Sequence, residues 1–396
     1  MVIAARRRGS TPKSRCGFHG SARFATFCPV TAWALLDAGR APVLPESVVG
    51  RVQFEIGRLV DESSLFYEAW RIGRADRGRL RARVERYRRA VDFLEKTRAF
   101  YDPTRLFPPP ERVPVVERRP MHLYGLPPFE SVRFPSAPAE IFPKEMGTLP
   151  RDPTGRNVHA RAYVWRHGDR DRRTVLCVHG YRGGFVALDG RAFDVPGLFA
   201  AGLDVALAVL PYHGPRTPQG SLPGARFLDD PRRTLEAALQ AVADLRALAS
   251  WLRAEGASAV GVAGVSLGGY LAALLASVDG DLDFVASIIP VASFADLMWE
   301  RAGRRGEHEL AAEEGLDLDL LRRLFSLHCP LVHRPLVAAG RRLVIGGEAD
   351  RIAPPSHAAA LAAHWETTVH WFRGGHLAQF GRGAALARLR SLAAGA

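Results

Sequence analysis

One serine near the middle of this chain lies between two glycines, in the pentapeptide Gly-Val-Ser-Leu-Gly at positions 264–268. A short apolar run precedes the pentapeptide, and an alanine- and leucine-rich run follows it. This pattern predicts a strand, a tight turn and a helix, in which a side chain at either glycine would collide with the converging elements. Such a turn presents the hydroxyl of Ser266 as a nucleophile. The chemistry that the pattern predicts is attack on an acyl carbon.

A nucleophilic serine needs a base, and the base needs a carboxylate that orients it. In a strand–turn–helix site of this kind, the expected order along the chain is serine, acid and histidine. Asp350 lies just past the predicted strand Arg342–Ile345 and is the predicted acid. Glu348 is the competing carboxylate, but it lies closer to the strand and is expected to point elsewhere.

Only one of the histidines downstream of the acid occupies a predicted loop. The other three fall in a predicted helix or strand: His357, His364 and His370. His376 follows Arg373-Gly374-Gly375, and these glycines let the backbone carry its ring towards Ser266. We therefore predict that His376 takes the proton of the serine and returns it to the leaving group.

The developing charge on the attacked acyl oxygen requires two N–H donors, which form an oxyanion hole. The backbone N–H of Leu267, at the start of the predicted helix, is one candidate. The loop after the predicted strand Thr174–Val178 supplies the other, and the N–H of Tyr181 is the candidate there. His179 and Gly180 in the same loop are predicted to border the substrate. Within that pair, His179 is interpreted as a hydrogen-bonded structural residue that takes no part in proton transfer.

A second loop, with the sequence Pro-Tyr-His-Gly at 211–214, follows the predicted strand Val205–Leu210 on the same sheet edge. Two interpretations of His213 remain open: contact with the substrate, or a ring held by backbone carbonyls in a tight turn. Arg216 is expected to pair with a nearby carboxylate. Asp230 precedes a proline and a long helical run, and we expect it to cap that helix.

Strands alternate with helices from about residue 130 onwards. The strand-like runs are Ser131–Phe134 (a first edge strand), Ala160–Trp165, Thr174–Val178, Val205–Leu210, Ala259–Val265, Phe284–Ile289, Arg342–Ile345 and Thr368–Phe372. Helical runs include Arg232–Glu255 and Gly268–Val278, and Gly381–Ala394 closes the chain. This alternation predicts an α/β fold with a mostly parallel central sheet and helices on both faces. A helical insertion at about 293–336 is expected over the site edge, either as a lid or as a packing layer.

The chain divides into three predicted parts. Residues 1–45 lack periodicity and are expected to be a flexible segment. Residues 46–129 contain a helical pair, from Val48 to Tyr101, and a proline-rich linker, and are expected to pack on the core. The catalytic domain is predicted at 130–396. The apolar positions that predict the core face of the pair are Ile56, Leu59, Val60, Phe66, Ala69, Trp70, Leu80, Val84, Tyr87, Val91 and Leu94.

Composition is that of a globular protein, with 47% hydrophobic and 24% charged residues. The formal net charge of +13 comes almost entirely from arginine and lies mainly before residue 150. An arginine bias can reflect genomic base composition, so we do not expect a nucleic-acid partner. The four cysteines lie far apart, which predicts neither a metal site nor a disulfide framework: Cys16, Cys28, Cys177 and Cys329. We expect no cofactor, and a reducing, cytoplasmic location.

Two segments have a superficial likeness to membrane or export signals. Gly256–Val278 is uncharged and long enough to span a bilayer, but its glycines fit the predicted strand–turn–helix. An uncharged stretch from Phe24 to Leu36 follows basic clusters, but Pro29 interrupts it. We therefore expect no transmembrane segment and do not favour secretion.

Taken together, these motifs resemble the α/β-hydrolase superfamily from about residue 130 to the end. The resemblance rests on His179-Gly180, on Gly-x-Ser-x-Gly around Ser266, on Asp350 and on His376, in that order. The helical N-terminal part, the Pro-Tyr-His-Gly loop and the Arg-Asn-Val segment at 156–158 resemble the branch that includes abhydrolase domain-containing protein 18. The resemblance implies the fold and a serine-hydrolase site, and it supplies no substrate.

The predicted function is hydrolysis of a carboxylic ester or thioester, with a small-molecule acyl ester as substrate, through an acyl-Ser266 intermediate. Apolar residues of the insertion either accept an apolar acyl group or pack on the core: Phe294, Leu297, Met298, Trp299, Leu321 and Phe325. Two alternatives remain open. One is acyl transfer or peptide cleavage with the same residues, and the other is a non-catalytic binding protein that uses the basic helical pair.

Overall fold

A nine-stranded sheet runs through the molecule. The computed structural model describes residues 33–36, 45–72, 76–97, 102–108, 115–146, 149, 152, 154–168 and 171–395. The strands are β1 Glu117–Met121, β2 Phe129–Pro135, β3 His159–Trp165, β4 Arg173–Val178, β5 Asp204–Val209, β6 Ala259–Val265, β7 Val285–Ile288, β8 Arg342–Gly347 and β9 Val369–Phe372. Their order across the sheet is β1-β2-β3-β5-β4-β6-β7-β8-β9.

The sheet is antiparallel at one edge and parallel through the rest of its width. The pairings β1–β2, β2–β3 and β3–β5 are antiparallel, and every pairing from β5 to β9 is parallel. Every residue of β5 is buried, as are nearly all those of β4 and β6. Burial on both faces explains why these strands are continuous apolar runs without alternation. The predicted α/β fold with a mostly parallel sheet is confirmed.

Helices cover both faces of the sheet. The α-helices are α1 Val48–Ile72, α2 Arg77–Lys96, α3 Pro103–Leu106, α4 Val186–Ala192, α5 Val195–Ala200, α6 Pro231–Ala254, α7 Leu267–Leu275, α8 Phe294–Arg304, α9 His308–Glu313, α10 Leu318–Phe325, α11 Pro355–His364 and α12 Gly383–Ala394. Side chains of α6, α7, α10 and α11 form the hydrophobic core on one face. Side chains of α5 and α12 contribute to the core on the other face.

The insertion between β7 and β8 is helical, as expected, and comprises α8, α9 and α10. Four of its six notable apolar side chains are buried in the core: Phe294, Leu297, Leu321 and Phe325. Trp299 is half-buried and packs against that core, and Met298 is exposed. These contacts favour the packing-layer interpretation for the four buried residues.

The second helix of the N-terminal pair, α2, buries the face that the sequence predicts. Val84, Tyr87, Val91 and Leu94 all lie in the core. Ion pairs attach the opposite side of the helix to the insertion. Within these contacts, Arg81 Nε lies 2.7 Å from Glu314 Oε2, and Arg77 also pairs with Glu314. Part of the basic face of α2 is thus used to hold the insertion.

For the first helix of the pair, α1, the predicted core face is wrong. Leu59 is 52% exposed and Phe66 is 76% exposed, and Ile56 and Val60 of that stripe are exposed as well. The side chains of Ala69 and Trp70 lie outside the part that the structure describes. The face turned towards the core instead carries Phe54, Gly57 and Asp61. A Cβ on Gly57 would lie 2.4 Å from the backbone nitrogen of Gly375. The helix therefore packs with its backbone against a loop, a contact that apolar periodicity does not reveal.

The proline-rich stretch contains a strand that the sequence analysis does not predict. β1 pairs with β2, so the strand predicted near Ser131–Phe134 exists but is the second strand, and the sheet begins before residue 130. β1 has the sequence Glu-Arg-Arg-Pro-Met, is largely exposed and lacks apolar alternation. Pro120 is tolerated because an edge strand leaves one row of backbone N–H groups without a ladder partner.

Several other predictions concern the ends and the cysteines. Most of the predicted flexible segment 1–45, with Cys16 and Cys28, lies outside the described residues. Cys177 and Cys329 are buried free thiols. In the part of the chain that the structure describes, none of the helices combines the length and apolar character needed to cross a membrane.

His328 and His357 are fully buried within this fold. The hydroxyl of Tyr270 lies 2.8 Å from Nδ1 of His328, and Nδ1 of His357 accepts the backbone N–H of Ala292 at 3.1 Å. Burial lowers the pKa of His328 to about 3 and that of His357 to about 4. Both rings are therefore neutral in the folded protein at pH 7.

We expect these histidines to destabilise the protein in mild acid. In the unfolded chain each titrates near a pKa of about 6.5, so their stabilising contribution is complete above that pH and is lost as the pH falls. Between pH 7 and pH 5 the loss is about 2 kcal/mol per histidine. His357→Asn keeps an acceptor for Ala292 and removes the titration. The free energy of unfolding of the wild type, minus that of the variant, should fall by about 2 kcal/mol over this range in urea titrations.

The exposed His122 provides the control. His122→Asn should leave the pH dependence of the unfolding free energy unchanged. An equal pH dependence of the unfolding free energy in the wild type and in His357→Asn would contradict the lowered pKa of His357 in the folded protein.

Candidate active site

Three side chains from distant parts of the chain form one hydrogen-bonded series. The hydroxyl of Ser266 lies 2.8 Å from Nε2 of His376, and Nδ1 of His376 lies 2.7 Å from Oδ2 of Asp350. The other oxygen of Asp350 accepts the backbone N–H groups of Ile352 and Ala353 at 2.9 and 2.7 Å. This carboxylate therefore fixes Nδ1 as the protonated nitrogen and leaves Nε2 to accept the serine proton.

The turn at Ser266 is strained and closely packed. Ser266 has φ of 56° and ψ of −114°, a conformation that L-residues rarely adopt. Its backbone N–H donates to the carbonyl of Ile288 at 2.8 Å. A Cβ on Gly264 would lie 2.0 Å from the carbonyl oxygen of Gly268, and a Cβ on Gly268 would lie 1.9 Å from that of Val178. Both glycines are required for the strand and the helix to approach this closely.

The parallel sheet explains why the three residues meet. Ser266 follows β6, Asp350 follows β8 and His376 follows β9. Because parallel strands have their carboxyl ends at one edge, the loops after them lie together. The structure describes all four histidines that follow Asp350, and it brings only His376 to the serine.

The loop after β4 lies directly beside the serine. A Cβ on Gly180 would lie 3.3 Å from the Cβ of Ser266, so the backbone approaches the nucleophile where Tyr181 begins. The carboxylate of Asp189 accepts the N–H groups of Gly184 and Phe185, both at 2.7 Å, and holds the far side of this loop. Leu267 is the first residue of α7, where backbone N–H groups have no partner within the helix. This geometry is compatible with the predicted donors at Tyr181 and Leu267.

His179 and His213 lie in the interior, behind these loops. In His179, Nε2 accepts the N–H of Leu210 at 3.1 Å, and Nδ1 donates to the carbonyl of Gly180 at 2.8 Å. Nδ1 of His213 donates to the carbonyl of Pro211 at 2.8 Å. Both rings are fully buried, and burial lowers the pKa of each. This differs from the expected substrate contact, and we interpret both residues as supports for the loops.

The Pro-Tyr-His-Gly loop is held by a buried polar network. Oδ1 of Asn157 accepts the N–H of Tyr212 at 2.7 Å, so the two segments that carry the finer family resemblance contact each other. Arg216 donates to Asp244 at 2.7 Å and to the carbonyl of Asn157 at 3.1 Å. The expected pairing of Arg216 with a carboxylate is confirmed. Asp230 accepts the N–H of Arg232, which confirms it as the cap of α6.

Sequence analysis gives no indication of two groups of side chains at this edge. One group is charged. Arg182, beside Tyr181, pairs with Glu68 of α1 at 3.4 Å. The negative charges of Glu68 and Asp350 both interact electrostatically with the buried Arg301 of α8. Burial lowers the pKa of Arg301, and the two carboxylates oppose that effect. The other is Asp61 of α1, which accepts the backbone N–H groups of Arg351, next to Asp350, and of His376. Both groups join segments too far apart in the chain for spacing to reveal.

No set of three or more histidine, cysteine, aspartate or glutamate side chains within the described residues is placed to hold a metal ion.

Comparison with known proteins gives a family match over part of the chain. Residues 130–296 match the family described as alpha/beta hydrolase domain containing 18. This range includes Ser266 and ends before Asp350 and His376. Two uncharacterized proteins from strains of Mycobacterium tuberculosis, MT2702 and Rv2627c, are each 36% identical over 231 residues, which is 55% of this chain and 53% of theirs. The chain thus spans about half the length of the curated relatives it matches.

Among solved structures, this chain is similar to the acetyl xylan esterase from Paenibacillus sp. R4. The TM-score is 0.53 and the identity is 17%, and the alignment covers 75% of this chain and 94% of that chain. At this identity the likeness concerns the fold.

The glycines around the serine should differ sharply in their tolerance of a methyl group. Gly264→Ala places a Cβ against an immovable backbone carbonyl, and we expect it to lower the free energy of unfolding by about 3 kcal/mol or more. Gly180→Ala meets Ser266 at 3.3 Å, so small shifts suffice and the loss should be about 1 kcal/mol. Urea unfolding of both variants measures the difference. Equal stability of the two would contradict the packing at the turn.

Proposed function

We propose that the chain, part of which matches the alpha/beta hydrolase domain containing 18 family, is a serine hydrolase that cleaves a carboxylic ester or thioester. The observation that carries this proposal is the series of hydrogen bonds from Ser266 through His376 to Asp350. A hydroxyl that donates to a neutral imidazole, whose second nitrogen is bound to a buried carboxylate, is equipped for nucleophilic attack.

In the first half of the reaction, the hydroxyl oxygen of Ser266 attacks the acyl carbon while Nε2 of His376 takes the hydroxyl proton. Asp350 stabilises the resulting imidazolium and keeps the ring in place. The tetrahedral intermediate collapses when the bond to the leaving group breaks. His376 gives its proton to the leaving alkoxide or thiolate, and the acyl group remains on Ser266.

In the second half, a water molecule gives a proton to Nε2 of His376 and attacks the acyl-serine carbonyl. The bond between that carbon and the serine oxygen then breaks, and His376 returns its proton to Ser266. The products are a carboxylic acid and the free enzyme. The N–H groups of Tyr181 and Leu267 are the proposed donors to the oxyanion in both halves, assisted by the positive end of α7.

The proposed substrate is a small acyl ester. Ser266 is 8% exposed and His376 is 7% exposed, so only a narrow approach to the reacting atoms is available. Most of the apolar side chains of the insertion pack inward on the core, which also favours a small acyl group. Acyl transfer and peptide cleavage with the same residues remain the alternatives within enzymes.

The alternative of a binding protein depends on the basic helical pair. Arg77 and Arg81 are engaged with Glu314, and Arg88 donates to the carbonyl of Gly315. These contacts give part of the basic face a role in packing, and they provide no specific observation in favour of a nucleic-acid or membrane partner.

A fluorophosphonate probe tests the nucleophile directly. We expect the wild type to be labelled and Ser266→Ala not to be labelled. His376→Ala should react at least about 10³-fold more slowly than the wild type, because the serine loses its base. Two controls match these variants: Ser258→Ala, an exposed serine just before β6, and His370→Ala, a histidine within β9. Both should be labelled at the wild-type rate. A folded wild type that does not react would contradict the proposal.

A series of p-nitrophenyl esters tests the substrate class. We expect kcat/KM to be higher for acetyl and butyryl esters than for decanoyl esters, because the approach to Ser266 is narrow. The same acyl groups as anilides should react far more slowly. Faster cleavage of the anilides would favour a peptidase, and a preference for decanoyl esters would contradict the small-ester assignment.

A further inference from the structure

Helix α1 lies outside the α/β sheet, yet it contacts all three loops that form the site. Asp61 binds the backbone of the loop after β8 and the backbone of the loop after β9. About two turns further on, Glu68 pairs with Arg182 of the loop after β4. One helix thus touches the loops that carry Asp350, His376 and Tyr181.

The contacts of Asp61 are made with the backbone on either side of the catalytic residues. Oδ2 accepts the N–H of His376 itself at 2.7 Å and the N–H of Arg351, next to Asp350, at 3.1 Å. Oδ1 accepts the N–H of Leu377 at 3.0 Å. A single carboxylate therefore joins the loop of the acid to the loop of the base.

A carboxylate is suited to this position because it only accepts hydrogen bonds. Three N–H donors converge on its two oxygens, and each would lose a partner in the interior without it. Asp61 is fully buried, and burial together with the nearby Asp350 raises its pKa, while the three N–H groups oppose that shift. An amide side chain cannot reproduce this arrangement, since its NH₂ group would face one of the donors.

The packing beneath Asp61 leaves this contact little freedom. Gly57, one turn earlier on α1, lies against the backbone of Gly374 and Gly375 with no room for a Cβ. A Cβ on Gly375 would in turn lie 2.6 Å from Oδ2 of Asp61. The helix and the histidine loop are therefore in backbone contact at the point where the carboxylate binds.

We propose that Asp61 is a positioning residue of the catalytic centre, which sets the place of the His376 ring relative to Ser266 and Asp350 through the backbone of their loops. This inference rests on the proposed function. The bonds from His376 to Ser266 and Asp350 are 2.8 and 2.7 Å long, and both depend on where the loop holds the ring. A misplacement of about 1 Å can lower a rate by about 10²-fold.

The test uses Asp61→Asn, which keeps the size of the side chain but replaces one acceptor oxygen with an NH₂ group. The variant can therefore no longer accept all three hydrogen bonds at once. We expect kcat for p-nitrophenyl acetate and the rate of fluorophosphonate labelling to fall by about 10²-fold, with KM unchanged, because no substrate contact is altered. Glu55→Gln is the matched control. It removes a carboxylate of the same helix whose partner is Arg58, and it should keep wild-type rates.

A spectroscopic readout separates this inference from the proposed function. The proton between Nδ1 of His376 and Asp350 should give a low-field ¹H resonance, identified by its loss in His376→Ala. We expect that resonance to shift or broaden in Asp61→Asn and to be unchanged in Glu55→Gln. If the wild type neither reacts with the probe nor cleaves esters, the proposed function fails, and the resonance still decides whether Asp61 positions the ring.

Wild-type rates and an unshifted resonance in folded Asp61→Asn would overturn the inference. The inference would also be overturned if the loss of activity equalled the unfolded fraction measured by circular dichroism. That result would show that Asp61 contributes only to stability. Should Asp61→Asn not fold, Asp61→Glu replaces it. That variant keeps the charge, moves the acceptor outward by one methylene, and carries the same expected losses and the same contradicting result.

Discussion

At Ser266 the backbone is held with a φ of 56°, and the surrounding structure has to enforce this conformation. Strain of this kind costs on the order of 1–3 kcal/mol and persists only where the neighbouring packing leaves no alternative. Here the packing consists of β6, α7 and the end of β4, which approach one another closely because Gly264 and Gly268 have no side chains. The hydroxyl projects from the turn towards His376 because the backbone cannot relax into the helix.

The same sheet edge that constrains the serine also determines which groups can reach it. Asp350 and His376 follow β8 and β9, and the loop after β4 lies on the other side of Ser266. Each of these loops is then fixed by a buried polar side chain that accepts backbone N–H groups: Asp189 for the loop after β4, and Asp61 for those after β8 and β9. Buried backbone donors need such partners, so the loops are rigid for the same reason that they can be buried.

The elements and the three central residues could be predicted because their signals are local. A continuous apolar run predicts a buried strand, and a polar residue just past it predicts a place at the sheet edge. All eight predicted strands begin and end within two residues of those in the structure. What the sequence could not supply is the set of contacts between distant segments. The apolar stripe of α1 was assigned to the core, but the glycine and aspartate face packs there instead, because the surface it meets is bare loop backbone. β1 escaped prediction because an exposed edge strand needs no apolar alternation.

The contact between Asp61 and the N–H of His376 also bears on where the functional unit begins. These residues are 315 positions apart in the chain, and the first of them precedes the region that matches the family model. A boundary at residue 130 would separate Ser266, Asp350 and His376 from the carboxylate that binds the backbone at or beside the last two of them. Without α1, the N–H groups of Arg351, His376 and Leu377 would have to find water, and the loops would no longer be held against each other. The site that begins with a strained serine on the sheet is thus completed by a helix outside it.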